Sequence, residues 1–128
     1  MTSRNFVLLA AIFGFIGVGA GAFGAHALTA YFNAHPDLED VFRTGTQYEM
    51  YHTLALIGAA WVVEKYPSPA ARWSGILFAA GIVLFSGSLY LLSLLNVPIL
   101  GAITPFGGLA FLAGWACLGW AAWKGKRD

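Results

Sequence analysis

FVLLAAIFGFIGVGAGAFGA, residues 6–25, runs twenty residues without a charge, and its reading decides the fold. A helix rises about 1.5 Å per residue, so a run of roughly this length crosses the ~30 Å of hydrocarbon in a bilayer. Three further stretches share its character: Gln47–Val63, with Glu49 its only charge, Trp73–Leu95 and Ile99–Trp123. Polar or turn-forming residues separate the runs: Asn33–Asp40, then Lys65-Tyr66-Pro67-Ser68-Pro69, then Asn96-Val97-Pro98. The expected fold class is an all-α membrane protein, a four-helix transmembrane bundle in one domain, 1–128. Its spans fall at approximately 5–28, 45–64, 73–95 and 99–123, with an outer loop at 29–44.

Composition agrees. Charged residues make up 10% of the chain and hydrophobic ones 59%, whereas a soluble domain carries about 25% charged residues. Mean hydropathy is +0.69. A net charge of +1 leaves no basic footprint for nucleic acid. The single cysteine, Cys117, lies in an apolar run, which excludes an internal disulfide and reads as a small packed hydrophobe.

The basic residues orient the spans, because lysine and arginine collect on the cytoplasmic side. Arg4, Lys65, Arg72, Lys124, Lys126 and Arg127 fall on one side and only Arg43 on the other, beside Asp37, Glu39 and Asp40. Both termini are therefore expected in the cytoplasm, with Trp73, Trp120 and Trp123 in an inner aromatic belt. A signal peptide is the competing reading of the first run, since Arg4 resembles a basic region and Ala25-His26-Ala27 a cleavage site. The run is long enough to cross the membrane and is read as a retained helix.

The outer loop is expected to hold a short helix. Asp37 would cap it, Leu38, Val41 and Phe42 share one face, and Glu39 pairs with Arg43 four residues on. It either runs directly into the second span or lies along the outer surface. In the fourth span Thr104-Pro105 reads as N-cap and first helical residue, the alternative being a longer helix kinked at Pro105.

Small residues mark helix contacts in lipid, where close backbone approach supplies the attraction. Gly14, Gly17, Gly21 and Gly24 form one stripe on the first span. Gly101 and Gly108, and Gly107 and Gly114, are spaced seven apart on the fourth. Either these stripes pack within one bundle, or one of them faces a second copy and drives self-association.

The polar groups inside the apolar runs crowd toward the outer side: His26, Gln47, Glu49, His52, Ser86, Ser88, Tyr90 and Thr104. Ionisable residues in the membrane face the bundle or a cavity and take a partner. Three readings of this outward-opening polar pocket follow. The groups satisfy one another and hold the helices in register. Alternatively they bind or pass a small polar molecule, a lipid headgroup or protons, for which histidine suits. Or Glu49-Met50-Tyr51-His52 is half of a metal site, as Glu-x-x-His motifs are in di-iron bundles. That last set lacks further intramembrane carboxylates, and no metal ligands are assigned. His35, in the outer loop, reads as solvated. No hydrolase elbow, phosphate loop, dinucleotide fingerprint or Cys-x-x-Cys occurs.

Four motifs stand in series: GAFGAH (21–26), YHTLAL (51–56), LFSGSLY (84–90) and TPFGGLAFLAGW (104–115). Together they cover nearly the whole chain, which resembles the family of small bacterial inner-membrane proteins catalogued as domain of unknown function 423. A small eukaryotic transmembrane protein is also similar. The resemblance implies a four-span protein of the bacterial inner membrane and brings no activity, substrate or cofactor. His26, His52, Ser86, Ser88, Tyr90, Thr104 and Pro105 match the family pattern. That pattern carries a carboxylate at the position of either Gln47 or Glu49; the two lie on different helix faces, which suits a metal ligand poorly.

The expected function is thus a non-enzymatic bundle that binds a lipid or small molecule or assists an assembly, with no cofactor. A small channel or proton-linked transporter is the alternative, and a membrane metalloenzyme the second. The bilayer is the expected partner, nucleic acid is not, and the small-molecule ligand is unidentified.

Overall fold

The computed structural model of the protein describes residues 1–125, and every described element is helical. Helix α1 spans Ser3–His26, opened by Thr2, whose hydroxyl accepts the Asn5 N–H at 3.4 Å. A short α2, Thr29–Ala34, follows, then α3, Pro36–Lys65. Helix α4, Pro69–Gly81, starts at Ser68, whose Oγ accepts the Ala71 N–H at 3.2 Å. It passes through a π-turn, Ile82–Ser86, into α5, Gly87–Leu95, making one stretch of 27 residues. Asn96 ends that stretch in the left-handed region with φ 52°, a conformation asparagine tolerates better than most residues. A 3-10 turn, Pro98–Ala102, leads into α6, Thr104–Lys124.

Three of these stretches are long and apolar enough to cross a membrane: Ser3–His26, Pro69–Leu95 and Pro98–Lys124. Helix α3 is longer than any of them, at 30 residues. Its first half carries Asp37, Glu39, Asp40, Arg43 and Glu49, and only its second half is apolar.

Of the two courses open to the short outer helix, it runs directly into the second apolar run as one continuous α3. Two expected caps are corrected. The helix begins at Pro36, so Asp37 sits inside the first turn and makes no capping bond. Proline fits there because its missing N–H would be an orphan donor in any case. Thr104 likewise caps nothing: Ile103 precedes the helix, and Thr104 is its first residue. Its hydroxyl is spent on Ser88 instead. The alternative of one α-helix kinked at Pro105 also gives way, since the chain before Thr104 is a 3-10 turn. Lys126 and Arg127, which contribute to the expected orientation, lie outside the described residues.

Helix α3 is central. It packs along α1 on one side and against α4, the π-turn and α5 on the other, while α6 packs mainly on α4. The main core joins Phe6 and Ala10 of α1, Leu56 and Ala59 of α3, Phe78 of α4, Ile82 and Phe111 of α6. A second cluster, Phe32, Leu38 and Phe42, seats α2 on α3, and a third, Val62, Ala71 and Ala121, closes the other end.

The α1 glycines face α3 of the same chain. A Cβ at Gly17 would meet Met50 Sδ at 2.6 Å, and one at Gly24 would meet the Phe42 ring at 2.5 Å. Gly14 and Gly21 sit over Thr53 and Thr46 with ordinary clearance. On α6, Gly107 abuts the backbone of Phe85, Gly108 lies beside its ring, and Gly114 faces Phe78 at 2.7 Å. These stripes are occupied by intrachain contacts, so self-association would have to use other faces. One such face is the opposite side of α1, where Val7, Leu8, Ile12, Phe15 and Val18 are exposed.

Candidate functional site

The polar residues of the bundle are held by three helices. On α3, Gly45, Glu49, His52 and Leu56 recur at helical spacing on the buried side, and Glu49 and His52 are only 2% and 5% exposed. The Tyr90 hydroxyl of α5 donates to Glu49 Oε2. The Tyr90 ring leans on Phe42, 5.2 Å between centroids, and close over Gly45, where a Cβ would meet it at 3.2 Å. Gly45 therefore lets the tyrosine lie flat enough along α3 for its hydroxyl to reach the carboxyl one turn further on.

His52 turns to a different neighbour. Its ring stacks on Phe111 at 3.5 Å with 8° between planes. Trp115 Nε1–H donates to His52 Nε2 at 3.1 Å, and Nδ1 lies 2.8 Å from the Tyr48 carbonyl. An indole only donates, so Nε2 accepts and Nδ1 holds the proton it gives to Tyr48. Both ring nitrogens are then engaged. Glu49 and His52, three residues apart, are thus committed to α5 and α6 respectively. Among the described residues no three of His, Cys, Asp or Glu converge as metal ligands.

The serines are also paired. Ser86 Oγ donates to the Gly45 carbonyl at 2.7 Å, tying the π-turn to α3. Ser88 donates to the Phe85 carbonyl at 2.9 Å and so accepts from the Thr104 hydroxyl at 2.6 Å, tying α5 to the start of α6. His26 and Gln47 stand apart: both are exposed, His26 at the end of α1 and Gln47 on the outer half of α3. Thr53, 4% exposed and facing Gly14, has an Oγ1 without a hydrogen-bond partner.

A cavity of about 350 Å³ opens beside this cluster, between α1, α2 and α3. Gly21 and Gly24 line it from α1, Phe32 from α2, and Phe42 and Met50 from α3. Glu39, Arg43 and Gln47, one helical turn apart along α3, supply its polar edge with Thr46. Of the eight polar candidates named from the sequence, only Gln47 lines it. The buried pairs and the cavity are neighbours: Met50 lines the cavity while Glu49 beside it faces inward.

Sequence reading missed Trp115, Thr46 and Tyr31. Trp115 stands four residues after Phe111, a spacing that places both on one face of α6, and that was the available signal. Thr46 was hidden as an ordinary polar residue at the outer edge of its run. Tyr31 lies on the unforeseen α2 and donates to the Ser93 carbonyl of α5 at 2.7 Å.

An all-helical chain whose long apolar helices turn bulky side chains outward and pair their polar groups inward is a membrane protein. This chain belongs to the family described as Protein of unknown function (DUF423), whose sequence model matches residues 20–108. It is 44% identical over 127 residues to the UPF0382 inner membrane protein YgdD of Escherichia coli K12, covering 99% of this chain and 95% of that one. It is 47% identical over 123 residues to the UPF0382 membrane protein YwdK of Bacillus subtilis 168, covering 94% and 98%. A UPF0382 membrane protein of Staphylococcus aureus, SAB0533, is 43% identical over 121 residues. The family resemblance carried by the four sequence motifs is thereby confirmed. No solved structure matches the chain.

Proposed function

We propose that the protein crosses the bacterial inner membrane four times, with both ends cytoplasmic, as a non-enzymatic bundle that binds an amphipathic small molecule or lipid in the α1–α2–α3 cavity. The second half of α3 supplies the remaining span, and Glu49 is tolerated within it because Tyr90 partners it. The basic residues at the Lys65–Arg72 turn and at Lys124 favour one side for both ends. Cysteines placed singly at Ser68 and at Asn33, in a Cys117→Ala background, test the topology. Membrane-impermeant reagent should reach Asn33→Cys from outside intact spheroplasts and Ser68→Cys only after lysis. Labelling of both from one side would mean that α3 does not cross.

The observation that carries the binding reading is the cavity's division into an apolar wall built on glycine and a polar edge on α3. Its ~350 Å³ lies at the small end of the range of about 300–1,000 Å³ for ligand pockets. The buried pairs of Glu49 and His52 act as struts that fix α3 against α5 and α6 and hold the cavity's far wall. Gly21→Leu is the direct test. A Cβ there meets only Thr46 Cγ2, at 3.7 Å, so the backbone accepts the change while the side chain fills the cavity. Native mass spectrometry from nanodiscs should show a reproducible retained mass on the wild type and at least about tenfold less on the variant. Equal retention on both would remove the cavity as a binding site.

A further inference from the structure

The polar edge of the cavity is charged in a particular order. Glu39 and Arg43 both line the cavity and already face each other at 3.0 Å, with Asp40 a further 3.5 Å from the guanidinium. All three are well exposed, and surface pairs of this kind contribute little to stability, so a ligand can exchange them readily. Between His26 and Glu64, Arg43 is the only lysine or arginine, while Asp37, Glu39 and Asp40 precede it in the sequence and the last two contact it.

That balance discriminates among headgroups. A purely anionic group would draw Arg43 away and leave Glu39 and Asp40 facing an added negative charge. A purely cationic group would satisfy Glu39 and leave Arg43 unanswered. A group carrying both a phosphate and a primary ammonium exchanges the existing ion pair for two charge-assisted ones, phosphate on Arg43 and ammonium on Glu39. The guanidinium fork suits phosphate oxygens, and an N–H-bearing ammonium can donate to the carboxylate where a quaternary one cannot. Behind this edge, the crevice between α1 and α3 is clear at Gly21, where a Cβ would meet only Thr46 Cγ2 at 3.7 Å. An acyl chain entering there runs beside Met50, while Gly24 is closed by the Phe42 ring. The cavity volume encloses only the headgroup-proximal part of a lipid and leaves the chain ends to the bilayer.

We infer that the cavity is selective for a phospholipid with a phosphate-and-ammonium headgroup, read by Arg43 and Glu39. This rests on the amphiphile-binding reading of the same cavity. The test uses the full chain in detergent, titrated with phosphatidylethanolamine and phosphatidylglycerol of identical acyl chains, with bound lipid counted by native mass spectrometry. The wild type should hold phosphatidylethanolamine about tenfold more tightly. Glu39→Gln should abolish that preference by weakening phosphatidylethanolamine alone, and Arg43→Gln should weaken both lipids. Gly21→Leu should remove both. If the two lipids bind equally to the wild type, or if Glu39→Gln leaves the preference intact, the headgroup assignment is overturned. The cavity reading still stands in that case provided Gly21→Leu lowers retention. If Gly21→Leu changes nothing, the cavity reading falls and the headgroup assignment with it.

Discussion

Tyr90→Phe is expected to lower the stability of the folded bundle by about 1–3 kcal/mol, because it leaves a buried carboxyl oxygen of Glu49 without its donor. Glu49 is 2% exposed, so water cannot replace the lost hydroxyl. The informative comparison is the double variant Tyr90→Phe with Glu49→Met. Removing both polar partners and keeping the volume leaves nothing unsatisfied, and such paired replacements come close to neutral. Unfolding by denaturing detergent in mixed micelles should therefore rank the single variant well below the wild type and the double variant near it. A Tyr90→Phe protein as stable as the wild type would show that this pair does not hold α3 to α5. A stable double variant that retains lipid would place the pair firmly in the scaffold.

Gly107→Ala should have an effect of similar size through shape alone. A Cβ there would lie 2.7 Å from Phe85 Cβ and 2.8 Å from its Cα, closer than such atoms pack. The obstacle is backbone within the π-turn, which cannot swing aside as a flexible side chain would. Overpacking of this kind costs about 1–3 kcal/mol, more when backbone must shift. Gly119→Ala on the same helix is the control, since nothing lies within 4 Å of it. It should be neutral or stabilising by up to about 1 kcal/mol, from helix propensity. Retention of monodisperse protein after heating separates the two, and equal melting of Gly107→Ala and wild type would show that α6 does not press on the π-turn.

The coarse architecture was legible because burial in lipid demands unbroken apolar length. Residues 6–25 and 73–95 meet that demand without a single charge. The union of the outer helix with the second run was open from sequence, since Pro36 can begin a helix whose far end is apolar and whose near end is charged. The pairing within the site was less legible. Glu49 and His52 share a helix face, and their spacing alone joined them into one pocket. What separates them is which neighbour each reaches, Tyr90 or Trp115, and that depends on the rotation of α5 and α6 about α3. The cavity was hidden for a similar reason. Its wall is made of absent side chains at Gly21 and Gly24, and an absence has no periodicity of its own beyond the stripe that also packs α1 on α3.

The π-turn bears on how the third apolar helix serves two partners. Below it, α4 lies chiefly on α6, with Phe78 against Gly114; above it, α5 lies chiefly on α3, with Tyr90 over Gly45. The Gly87 N–H reaches back to the Ile82 carbonyl, five residues rather than four. One additional residue in a turn dephases everything beyond it by about 100°. A single helical wheel drawn through residues 69–95 therefore superposes two faces that look in different directions. Deleting one residue between Ile82 and Ser86 would restore a single phase, and the helix would then have to choose between its two neighbours.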